Sequence, residues 1–228
     1  MRIYLLVAYH TTEDEEDEPR KQGFRIGIFR SKEICNQLID EYRKLPGFSL
    51  PDCSFEITEF QLPESDLPAE YVFCAEAVEA EFSDYEKGEI IGYYLTKAGA
   101  MAGIIRYLKD RVQNQGSDPF EHAEMNIYLQ KDRIGQKGWQ EGFVTETYYQ
   151  DWDDPALEPL DEDSVFCAKA VHKPFSDGER SVVLGYFQTK ADAIAALLQY
   201  LTFSEPVEDD FWCETFSITK VKKEQNTE

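Results

Sequence analysis

Apolar positions along this chain fall into the same rhythm more than once. Residues 90–108, IIGYYLTKAGAMAGIIRYL, and residues 183–201, VLGYFQTKADAIAALLQYL, are close copies. Each opens on β-branched and aromatic residues that suit a strand, passes a Thr-Lys step, and continues with apolar residues three and four apart, as in an amphipathic helix. A weaker third copy, RIGIFRSKEICNQLIDEYRKL, occupies residues 25–45. The shared line runs through Gly27, Gly92 and Gly185, an aromatic residue two places on (Phe29, Tyr94, Phe187), and then Ser31-Lys32, Thr96-Lys97 or Thr189-Lys190. Ser31, Thr96 and Thr189 are placed to cap the following helix by accepting hydrogen bonds from its free amides. In the first copy Ile34, Leu38, Ile39, Tyr42 and Leu45 mark the expected inward face; in the last, Ile194, Leu197, Leu198 and Leu201 do.

Other strands flank each copy. Upstream stand RIYLLVAY (2–9), YVFCAEAV (71–78) and SVFCAKAV (164–171), and downstream FEITEFQL (55–62), GFVTETYY (142–149) and FSITKVKK (216–223). The pattern predicts an α+β chain of three tandem ββαβ units at 1–62, 70–150 and 164–223. Each is expected to be a small, mainly antiparallel sheet covered by one helix, with a right-handed crossover. The middle unit is longer, since Gly92 stands 47 residues before Trp139 and Gly185 only 27 before Trp212. Ser117 or Asp118 as cap, Pro119 in the first turn and Gly135 at the end predict a helical insertion over about 114–138. Proline-bearing acidic segments, PESDLPAE and QDWDDPALEPLDED, read as extended spacers between units.

The first unit resembles a short bacterial domain of unknown function. The resemblance covers residues 1–62 and rests on IGIFRSKE, LPGF and FEITEFQL, a glycine strand, a helix ending in Pro-Gly-Phe, and a closing strand. The other two units lack Pro-Gly-Phe. The resemblance implies a fold and a bacterial or phage origin, and it implies no activity.

Composition adds a globular core and a strong charge. Hydrophobic residues make up 42% and aromatic residues 14% of the 228, enough to bury a core. No apolar run reaches the roughly 20 residues of a membrane helix, and acids follow Tyr9 where a signal peptide would be cleaved. Five cysteines without a C-x-x-C pair read as reduced core thiols, which points to a cytoplasmic location. The net charge is −22, with 45 acids against 23 bases. A surface of that sign repels nucleic acid and anionic lipid and attracts a basic protein.

Catalytic patterns are not found. His10, His122 and His172 lie in distant segments, and neither a nucleophile elbow nor a phosphate loop is present. The EHAE around His122 offers a single imidazole and reads as a solvated helix face. The acids Glu13 to Glu18 read as a solvated hairpin loop. Gly99 and Gly103 on the second helix read as a close approach to another backbone.

The charge is uneven along the chain. Residues 63–163 hold 23 acids and 8 bases, net −15, whereas residues 1–62 hold 12 and 8 and residues 164–228 hold 10 and 7. Within that span Trp139, Tyr148, Tyr149 and Trp152 alternate with Asp151, Asp153, Asp154 and other acids. Aromatic anchors beside carboxylates are what a contact surface for a basic protein uses. These seven residues form the expected protein-binding site. The function expected is that of an acidic, non-enzymatic binding module without a cofactor, such as an immunity protein or inhibitor capping a basic nuclease or other nucleic-acid-binding protein. The alternative is metal-assisted hydrolysis by Asp151, Asp153 and Asp161 between units.

Overall fold

The computed structural model describes residues 1–12, 20–50, 52–63, 69–81, 86–113, 120–138, 158–172, 179–203 and 213–222. In chain order the elements are β1 (Arg2–Thr12), β2 (Arg20–Phe29), α1 (Lys32–Tyr42), β3 (Cys53–Gln61), β4 (Tyr71–Glu79), β5 (Lys87–Tyr94), α2 (Lys97–Gln113), β6 (Met125–Arg133), β7 (Ser164–His172), β8 (Arg180–Phe187), α3 (Lys190–Phe203) and β9 (Cys213–Lys222). The fold is α+β, with two antiparallel sheets and three helices among the described residues. The chain divides into two compact units, and their boundary does not follow chain order.

The first unit is built on a three-stranded sheet of order β2-β1-β3. Ser31 caps α1 as its sequence position predicts, its Oγ accepting from the Ile34 amide at 3.3 Å. The helix buries Cys35, Leu38 and Tyr42 against the sheet, while Ile34, expected inside, is exposed. A short 3-10 turn at Pro46–Phe48 then lets Phe48 meet the Tyr42 ring edge-on at 5.0 Å and stack on Phe55 at 6.3 Å. Pro-Gly-Phe is thus a packing corner.

Residues 132–138 return to this first unit and lie along the outer edge of β2. The amides of Gly135 and Gly138 donate to the carbonyls of Ile28 and Ile26, at 2.7 and 2.6 Å, and Tyr42 donates to the Gly138 carbonyl. An edge strand leaves polar backbone unpaired, and this segment satisfies two of its carbonyls. Arg25 pairs with Asp132 at 2.8 Å in the same place. Burial pushes the Asp132 carboxyl above the usual carboxylate range, and the Arg25 charge pulls it back only in part. A carboxyl whose folded value is raised holds its proton when the unfolded chain has released it. Stability therefore falls as pH rises from about 4 through that window. We expect Asp132→Asn to flatten the curve of urea midpoint against pH there; an unaltered slope would show that the carboxylate is solvated.

The second unit is built on a six-stranded sheet of order β5-β4-β6-β9-β7-β8. Its centre is the antiparallel pair β6–β9, in which Ile127 faces Phe216 and Met125 faces Ile218. The core gathers Met125, Ile127, Leu129, Phe166, Phe216 and Ile218 from the sheet with Ile104 and Leu108 of α2 and Ile194, Leu197 and Leu201 of α3. Two expectations are corrected by this arrangement. The strands read as the second and third units share one sheet instead of forming separate small ones. Two closing strands with buried side chains cover each other's edges when they pair, and their cores merge. Among the described residues, 120–138, the helical insertion predicted over 114–138 is also not observed. Residues 120–123 form a turn and Met125–Arg133 is strand β6, where the expected closing strand at 142–149 lies outside the described residues. Met125, Ile127 and Leu129 are buried alternately, so the period of two outranks the proline and glycine signals.

The glycine of the repeated line shares a role at all three sites, and at Gly27 a Cβ would also run into the Gln136 carbonyl. Gly27, Gly92 and Gly185 face Leu6, Ala75 and Ala168, next to a one-residue bulge in each hairpin. A Cβ there would meet the ring two residues on: Phe29 at 2.9 Å, the Tyr94 hydroxyl at 2.9 Å and Phe187 at 2.7 Å. The aromatic side chain folds back over bare backbone. That is why the spacing is glycine, any residue, aromatic.

Candidate functional site

The lysine that follows each cap carries the chemistry that the sequence reading passed over. A cation in the first turn of a helix meets the positive end of the helix dipole and is disfavoured. Lys32 in α1 is exposed, which keeps it solvated. Lys97 and Lys190, at the starts of α2 and α3, are 6% and 4% exposed. Each needs a carboxylate close by to stay charged at that depth. Lys190 Nζ lies 2.6 Å from Glu79 Oε1, at the end of β4, and also donates to the Phe120 carbonyl at 2.8 Å. Arg111, in the last turn of α2, reaches the same Glu79 oxygen at 2.6 Å. Lys97 pairs with Glu214 of β9 at 2.8 Å, and His172 Nδ1 stands 3.1 Å from that oxygen. Glu79 is 2% exposed, so its carboxylate is buried between two cations.

Lys190 and Arg111 border a cavity of about 490 Å³ in the second unit. Leu160, Phe166, Ala191 and Ile194 supply apolar wall. Glu121, Asp161 and Glu162 also line it and are exposed, which places three carboxylates at its mouth. The volume is in the range of about 300–1,000 Å³ typical of ligand pockets. Thr189, another lining residue, caps α3, accepting from the Asp192 amide at 3.1 Å. Thr96 does the same for Gly99 at 3.0 Å.

The residues expected to bind protein, Trp139, Tyr148, Tyr149, Asp151, Trp152, Asp153 and Asp154, all lie outside the described residues. Of the acids proposed for metal-assisted hydrolysis, Asp161 is at the mouth of the cavity and the other two lie outside the described residues. Among the described residues no group of three or more His, Cys, Asp or Glu is placed to hold a metal ion. Cys35, Cys53, Cys74 and Cys167 are free thiols, and burial pushes Cys35 up to about 11. A thiol so raised is a poor nucleophile at neutral pH. No described helix is long and apolar enough to cross a membrane.

Lys97 and Lys190 were visible in the repeated line, but a Thr-Lys step usually marks only a cap. The usable signal was a cation at a helix start in two near-identical copies, where the dipole argues against it. The partner acids could not be found that way, because Glu79 and Glu214 stand 111 and 117 residues from their lysines.

No family model, curated protein or solved structure matches the chain.

Proposed function

We propose that this chain is an acidic protein-binding module, an immunity protein or inhibitor in type, that caps a basic protein such as a nuclease or another nucleic-acid-binding protein. It is composed of three copies of one ββαβ module and itself binds neither nucleic acid nor membrane. The observation that carries this reading is the uneven charge, net −15 from 23 acids and 8 bases in residues 63–163 against −22 for the chain. A field of one sign concentrated in one part of a chain steers a partner of the other sign toward that part. The modular reading is supported by the strand orders β2-β1-β3, β5-β4-β6 and β8-β7-β9 and by the three matching bulges.

The test begins with the chain immobilised in lysate of its native host, with capture compared at low and high salt. The purified partner is then titrated against wild type and against the combined Asp151→Asn, Asp153→Asn, Asp154→Asn variant. The variant should bind at least about tenfold more weakly at low ionic strength, and the gap should narrow as salt rises. Equal affinity at every salt concentration overturns the reading.

A further inference from the structure

We propose that the cavity beside Lys190 is a docking pocket for one large apolar side chain of a basic peptide segment, with flanking lysines or arginines held by Glu121 and Asp161 at its mouth. The inference rests on the reading of the chain as a binder of basic protein and gives that reading a second contact, away from residues 139–154. Three features select this occupant. The walls supplied by Leu160, Phe166 and Ile194 are apolar and reach the core, so a hydrocarbon or aromatic group gains by entering. The two lining cations are already bonded to the buried Glu79 carboxylate, so that pair is committed to the fold. The exposed carboxylates around the opening then give the mouth the sign that attracts lysine and arginine. An apolar anchor in a pocket, ringed by complementary charge, is the usual form of an energetic centre in a protein interface.

Fluorescence anisotropy with short labelled peptides tests it on the full chain. Acetyl-KRWRK-amide should bind saturably, whereas KRARK, without the anchor, and EEWEE, with the wrong charge, should each bind at least about tenfold more weakly. Ala191→Trp, which fills the cavity from the first turn of α3, should bring KRWRK down to the level of KRARK. The exposed pair Glu121→Gln and Asp161→Asn, at the mouth of the cavity, should weaken KRWRK and flatten its salt dependence. Equal binding of KRWRK and KRARK, strong binding of EEWEE, or no effect of either variant overturns the proposal. The captured partner separates the two readings. If the triple Asn variant weakens it and Ala191→Trp does not, the pocket fails and the acidic module stands. If Ala191→Trp alone weakens it, the pocket stands and the site at residues 151–154 fails.

Discussion

Glu79→Leu should destabilise the second unit by about 3–5 kcal/mol, the usual cost of leaving buried charge uncompensated. On a unit of this size that lowers the thermal midpoint by roughly 10–20 °C. The carboxylate is 2% exposed and both of its cations lie at 2.6 Å, so its loss strands Lys190 at depth beside the positive end of α3. Arg111 is the more accessible of the two and can turn toward water. The two cations should therefore respond unequally. Lys190→Met should cost only about 1–2 kcal/mol, because Arg111 still compensates Glu79. Combining Lys190→Met with Glu79→Leu should recover most of the loss, since an apolar pair of similar volume often replaces a buried ion pair at little cost. Urea unfolding of the three variants decides it. A loss below about 1 kcal/mol for Glu79→Leu, the size of an exposed ion pair, would mean that water reaches the cluster.

The second large effect concerns Gly103 of α2. By helix propensity alone, Gly103→Ala should gain about 1 kcal/mol. We expect a net loss of about 2 kcal/mol instead, because a Cβ would run into the Tyr94 ring. That ring is also confined on the strand side. Its other side faces Gly92, where a Cβ would lie 2.9 Å from the Tyr94 hydroxyl. The tyrosine is slotted between a bare strand position and a bare helix position, and close-packed interiors leave no room to absorb a methyl group. The double-mutant cycle of Gly103→Ala with Tyr94→Leu should show coupling of at least about 1 kcal/mol, and additive losses would exclude the slot.

These residues also show what a sequence can and cannot convey. The local features were legible: Ser31, Thr96 and Thr189 cap helices, and the glycine and its aromatic partner recur because one packs on the other. Gly99 and Gly103 were legible as a close approach, but what comes close is the Tyr94 side chain rather than another backbone. Long-range features were not legible. Nothing local says that β6 and β9 pair, because either could equally have been a free edge. The strand β6 was hidden by a cap, a proline and a glycine that together imitate a helix, although MNIYLQKDR alternates. Glu79 and Glu214 look like ordinary strand acids until the fold brings lysines to them. Of the proposed binding site, the charge imbalance was legible, whereas the cavity needed Leu160 and Phe166 to meet Ile194 and Arg111 from distant segments.

The most direct test of the central claim is the association rate of the purified basic partner, followed by stopped flow across a salt series. Electrostatic capture predicts a rate for wild type that falls steeply as screening shortens to about 8 Å near physiological ionic strength. For the variant with Asp151, Asp153 and Asp154 changed to Asn it predicts slower association with a shallower salt dependence, and a dissociation rate altered far less. Association rates equal for the two proteins at every salt concentration would contradict the claim, and the charge of residues 63–163 would then serve solubility alone.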